Sequence, residues 1–234
     1  SYLLASSFFT PLAALAAAFA YMFAPYHALD IFVRGAMSES WGLALVPGVL
    51  YFIYRLSRKP NYANLLGFSL VTSAFLTSHH LTTIINLPLF IVFSTLLFIT
   101  SQEKLNFLKY LTISCLLAFG LSSFFTLPVI FERNLIQQQS MTMDYYTYSA
   151  HFTTLNQLFT NRHWGYGPSK FGGDDDLSFA FGIIQTISLI LTPIILFLYF
   201  KRRQTVKLVI LSIAFLFCLF SLFMTHNKST FIWQ

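Results

Sequence analysis

Residues 24–41, APYHALDIFVRGAMSESW, form a polar island between two apolar runs and bring carboxylates, a histidine and a cation into one short segment. At helical spacing Tyr26, Asp30, Arg34 and Ser38 recur every four residues and fall on one narrow stripe, while Leu29, Phe32, Val33 and Ala36 line a neighbouring apolar face. The pattern predicts a helix lying in a membrane interface. Asp30 precedes Arg34 in the favourable orientation for a helical ion pair, and an exposed pair of this kind is worth about 0.2–0.5 kcal/mol. A structural pair therefore accounts for Asp30 and Arg34 but leaves the flanking His27 and Glu39 unexplained. The chemistry open to such a set is proton removal from a hydroxyl by Asp30 or Glu39, beside an anion held by Arg34 with Tyr26 and His27 as further contacts.

A second constellation is HWGYGPSKFGGDDDLS, residues 163–178, preceded by Arg162. Four glycines and one proline in this stretch predict a turn-rich loop. Trp164 and Tyr166 could stack on a sugar ring or sit among lipid headgroups. Asp174 and Asp176 have the spacing of a carboxylate pair that holds a divalent cation. The same acids also suit the N-terminus of a helix beginning at Leu177, and both readings stand. His79 and His80 are adjacent, and neighbours in a helix point about 100° apart, so a polar hairpin tip is favoured over a metal site. Asn227, Lys228 and Ser229 formally make a glycosylation acceptor, read here as a chance triplet.

These residues need elements to position them, and the composition says what kind. The 234-residue chain is 56% hydrophobic, 18% aromatic and only 9% charged, with 28 phenylalanines. That excludes an ordinary soluble domain and predicts an all-α, polytopic transmembrane helix bundle. The net charge of +6 would suit nucleic acid, but its distribution argues against that partner. Taking the polar segments in alternation, residues 55–59, 104–109 and 201–207 are basic, with Glu103 the single acid beside them. The remaining acids, Asp30, Glu39 and Asp174 to Asp176 among them, fall on the opposite side. This is the positive-inside pattern, which places residues 24–41 and 131–176 outside.

About seven spans follow, at residues 11–24, 41–56, 64–78, 83–100, 110–130, 177–200 and 206–224, with a kink expected at Pro47 and Gly48. The outer loop of residues 131–176 is too long to be a mere connection. Within it Phe152, Leu155, Leu158 and Phe159 predict an amphipathic helix over residues 150–161. Cys115 and Cys218 lie in mid-span, where a thiol acts as a small hydrophobe, so neither a disulfide framework nor a cysteine metal site is expected. The expected organisation is one membrane domain over residues 1–234, part of a longer protein, with no signal peptide at its start.

The stretch from Leu15 to Leu50, with its PY, D and RGA followed by an acid, resembles bacterial multi-pass membrane proteins catalogued as 6-pyruvoyl-tetrahydropterin synthase-related. These lie near YfhO-type and GT-C glycosyltransferase-like membrane proteins. Pro25, Tyr26, Asp30, Arg34, Gly35, Ala36 and Glu39 carry the match, with weaker echoes in SSFFTLPVIFE, in W-x-x-G and in DLSFAFG. The pterin label finds no support, since nothing here reads as a zinc-binding antiparallel-sheet enzyme. The resemblance implies a GT-C-like bundle in a bacterial inner membrane that transfers a sugar from a polyprenyl-phosphate donor to an acceptor on the outer face. Asp30 and Glu39 would then be catalytic contributors, because the family's main carboxylate belongs to a loop preceding Ser1. Tyr26, His27, Arg34, Arg162, Trp164 and Tyr166 would bind substrate, with Asp174 and Asp176 holding any divalent cation. The alternative is a non-catalytic protein that binds or moves lipid-linked glycans. Ionisable groups are scarce in mid-span, which favours chemistry at the surface over a translocation path.

Overall fold

The structure, a computed structural model, describes residues 1–132, 135, 146–161, 163–170 and 175–233. Its regular elements are helices, and among the described residues the only strand-like pairing is an isolated antiparallel bridge between Tyr166 and Leu177. Five helical segments are long and apolar enough to cross a membrane: Pro11–Phe32, His80–Thr100, Lys104–Phe131, Ile183–Lys201 and Thr205–Met224. In the first of these, residues 23 and 24 interrupt regular helix. The protein is thus an all-helical membrane protein. Two compact units make it up, Ser1–Phe19 with Ala36–Ile136 and Ala20–Gly35 with Gln137–Gln234.

The first unit contains α1 (Tyr2–Ser6), most of α2 (Pro11–Met22), α4 (Met37–Arg58), α5 (Tyr62–Ser78), α6 (His80–Thr100) and α7 (Lys104–Phe131). Val49, Ile53 and Leu56 of α4 pack in its core with Leu65, Phe68 and Phe75 of α5. On α7 the buried positions Ser114, Ala118 and Ser122 are small and recur every four residues. Small residues on one face let helix backbones approach closely, as membrane helices commonly do. Ser69 uses that proximity: its hydroxyl points to Leu65 O at 2.9 Å and across to Ser114 O at 3.1 Å. Pro47 is buried and stays within α4, with helix continuing on both sides of it.

The connections of this unit are capped locally. Asn61 Oδ1 accepts the Asn64 N–H at 2.9 Å to start α5, and His79 Nδ1 accepts the Thr82 N–H at 3.3 Å to start α6. His79 is therefore a helix cap at a hairpin tip, the structural role favoured for the histidine pair. Ser101 Oγ donates to Ser57 O at 3.2 Å, which ties the α4–α5 connection to the α6–α7 connection at one end of the unit.

The second unit contains α3 (Pro25–Phe32), α8 (Leu155–Phe159), the hairpin of α9 (Ile183–Lys201) and α10 (Thr205–Met224), and α11 (Thr230–Trp233). Neither α9 nor α10 has a buried residue. The segments around α8 and the start of α9 differ from the sequence expectation in two places. The helix expected over residues 150–161 shrinks to the five residues of α8, because Thr154 and Gln157 form a capping box that fixes its start after Phe152. The span expected to start at Leu177 begins at Ile183, because Leu177 pairs with Tyr166 and Phe181 donates its N–H to Leu158 O at 2.8 Å. After α10 the chain folds back: Ser229 is fully buried and its hydroxyl donates to His226 O at 2.7 Å, which suits structure rather than a glycosylation acceptor. Trp233 stacks on Tyr148 with ring centres 5.7 Å apart.

Candidate functional site

The polar island does not form one helix. Pro25 starts α3, where its missing N–H is harmless, and the N–H groups of Val33 and Arg34 both reach back to Leu29 O at 3.0 Å to close the helix. Gly35 then takes a φ of 64°, a conformation costly for side chains other than glycine, and α4 begins at Met37. The expected stripe is broken there, so Ser38 and Glu39 belong to the first turn of α4, in the other unit. The expected apolar face also splits: Leu29 is buried, whereas Phe32 is 74% exposed.

What remains of the stripe is tighter than an interfacial ion pair. Asp30 is 0% exposed, the one charged side chain fully buried among the described residues. Its Oδ1 accepts from Arg34 Nη1 at 2.8 Å, and the same Nη1 lies 2.7 Å from the Tyr26 hydroxyl oxygen. The guanidinium carbon stands 5.9 Å from the centre of the Tyr26 ring. A carboxylate removed from water needs its partner, since breaking a buried pair costs several kcal/mol, about ten times the value of an exposed pair. The expectation of an exposed pair is therefore corrected by the burial of Asp30. His27 points elsewhere, its ring edge-on to Tyr21 at 5.0 Å.

Arg34 keeps 38% of its side chain exposed, and with Val33 it forms one wall of an open cleft of about 480 Å³. Tyr166, Gly167, Pro168, Ser169 and Leu177 form the other. Gly165 and Gly167 make this wall possible: a Cβ on the former would collide with Asp176 O, and one on the latter with the Asp176 side chain. Asp175 then clasps the loop. Its Oδ1 accepts from Ser169 Oγ at 2.6 Å and the Lys170 N–H at 2.7 Å, and its Oδ2 accepts from Gln157 Nε2 at 2.6 Å. His151 Nδ1 reaches Ser169 Oγ at 2.8 Å.

Of the sequence-derived candidates, the fold thus brings Tyr26, Asp30 and Arg34 into contact and sets Arg34 across a cleft from Tyr166. Trp164 is partly exposed at 39% but does not line that cleft. Asp176 is paired with Lys170 Nζ at 2.7 Å, so a lysine cation already engages one of the two carboxylates of the metal reading. Asp174 and Arg162 lie outside the described residues. Among the described residues no group of three histidine, cysteine or acidic side chains is placed to hold a metal ion. Sequence reading passed over Asp175, Ser169 and Gln157. Only the T-x-x-Q spacing of Thr154 and Gln157 signals one of them, and it signals a helix cap. Compared with known proteins, the chain matches no family, no curated protein and no solved structure.

Proposed function

We propose that this membrane protein binds the phosphate-bearing headgroup of a polyprenyl-phosphate sugar in the Arg34 cleft, at the outer face of a bacterial inner membrane. The observation that carries the reading is an arginine fixed by a wholly buried carboxylate and a tyrosine hydroxyl, yet presented to a cleft. Guanidinium has five N–H donors in a planar fork suited to phosphate, and fixing it beforehand lowers the entropy lost on binding. Tyr166, 76% exposed on the facing wall, offers a flat apolar surface for a sugar ring.

In its finer form the reading is a GT-C-like bundle of seven spans, with α4 and α5 counted as spans in addition to the five more apolar segments. The 22 residues of α4 extend about 33 Å, enough for a bilayer core. A helix packed against its neighbours needs less apolar surface than one facing lipid. Of the two uses of such a site, binding without sugar transfer is favoured. Asp30 is enclosed and committed to Arg34, which suits an anchor better than a base. Glu39, the other carboxylate candidate for a transferase, begins α4 in the other unit.

The test is binding of a polyprenyl-phosphate sugar to the detergent-purified protein, with a thermal melt alongside. Arg34→Lys keeps the charge opposite Asp30 but loses the fork, and affinity is expected to fall at least about tenfold. Tyr166→Ala is expected to weaken binding several-fold with an unchanged melt. Wild-type affinity in both variants would reject the cleft. Sugar transfer that disappears in Glu39→Gln while binding persists would establish the transferase instead. For orientation, a cysteine at Tyr166 should be labelled from outside and one at Lys59 spared; the reverse would invert the assigned faces.

A further inference from the structure

The Ser57–Ser101 end of the first unit has a composition that the Arg34 cleft does not use. The hydrogen bond from Ser101 Oγ to Ser57 O holds two helix connections side by side. Arg55 and Arg58 in the last turn of α4, Lys59 at its C-cap and Lys104 at the start of α7 are all exposed at this end. Glu103, the acid among them, accepts from Asn106 Nδ2 at 2.9 Å. Both α6 and α7 are apolar and of membrane length, so the junction between Thr100 and Lys104 marks where the hydrocarbon ends.

Aromatic side chains mark the same level. The Arg55 guanidinium lies 5.9 Å from the Tyr51 ring centre and that of Arg58 lies 5.6 Å from Tyr54. Tyr62 and Tyr110 meet edge to face at 5.8 Å. Tyrosines concentrate where lipid tails give way to headgroups, and rings beneath the two arginines support their guanidinium groups at that depth. Basic groups held at headgroup depth face phosphates. Their excess over acids selects lipids with net negative charge over zwitterionic ones, each basic residue strengthening attraction about fivefold.

We propose that this end of the first unit is a binding site for anionic phospholipid, with Arg55, Arg58, Lys59 and Lys104 engaging the headgroup phosphate. The site is separate from the cleft and stands whether or not the cleft binds a lipid-linked sugar.

The test places the full chain in phosphatidylcholine nanodiscs and measures its association with spin-labelled phosphatidylglycerol relative to spin-labelled phosphatidylcholine. The wild-type protein is expected to prefer phosphatidylglycerol, and the preference to fall as salt rises. Neutralising the end with Arg58→Gln, Lys59→Gln and Lys104→Gln is expected to remove the preference, at about fivefold per charge. The charge-keeping set Arg58→Lys, Lys59→Arg and Lys104→Arg should retain it. Equal association with both lipids, or an unchanged preference in the neutralised variant, overturns the proposal. Full displacement by millimolar inorganic phosphate also overturns it, since the site would then be one for free anion. If the neutralised variant loses its helical circular dichroism, Arg58→Gln and Lys104→Gln singly carry the same test.

Discussion

The pair α4 and α5 and the pair α9 and α10 solve the same problem in opposite ways. The former bury Val49, Ile53, Leu56, Leu65, Phe68 and Phe75, although α4 carries Glu39, Arg55 and Arg58 and neither helix is among the five membrane-length apolar segments. The latter are mostly apolar and have no fully buried residue. Apolarity along these helices therefore does not follow burial in protein. Inside the first unit, packing rests on shape, with small residues on α7 and Ser69 on α5 allowing the close approach marked by the Ser69–Ser114 hydrogen bond. Along α9 and α10 a membrane acts as the solvent, and their side chains gain little from one another that lipid does not also supply.

The sharpest way to break this contrast is to truncate matched phenylalanines. Phe75, 1% exposed, should cost about 3–5 kcal/mol when replaced by alanine, read as a lowered melting temperature or denaturant midpoint in detergent. Phe197, 63% exposed on α9, should lie within about 0.5 kcal/mol of wild type in the same assay. Equal losses would mean that α9 packs on protein.

Next in size is the buried pair of the second unit. Arg34→Ala strands Asp30 and is expected to cost about 3 kcal/mol, whereas removing both charges with Asp30→Ala in the same chain should recover much of that loss. A double-mutant cycle with no coupling would return the pair to the interfacial, exposed kind.

Shape-based packing of the first unit is sharpened by Ser114→Leu. The side chain is 0% exposed where α7 approaches α5, and overpacking there is expected to cost about 1–3 kcal/mol. Leucine at Ser188 of α9, which is exposed, should leave the melt unchanged. The smallest effect concerns the start of α8. Thr154→Ala removes half of the capping box and should cost about 1 kcal/mol, seen as faster protease cleavage near α8 with the helix content of the membrane segments kept.

Much of this was legible in the chain. Composition and apolar runs of about twenty residues identify helices and a membrane, because lipid-facing surface must be apolar whatever the fold. The breaks at Asn61, His79 and Gly35 are local, set by a cap or a positive φ, and the first two fall within three residues of the ends drawn from sequence. Residues Tyr26, Asp30 and Arg34 could be grouped by spacing, since contacts at that range depend on one turn of helix. Periodicity does not reveal that the helix ends at Phe32, and Ser38, on the stripe by spacing, and the flanking Glu39 start another element in another unit. Nor could it give the burial of Asp30, which depends on what surrounds α3 and changes the pair from a weak surface contact to a fixed anchor. The wall opposite Arg34 is likewise tertiary. Asp175 draws Gln157, Ser169 and the Lys170 N–H together from positions up to 18 residues away, and a hydrogen bond at that separation leaves no local pattern to read.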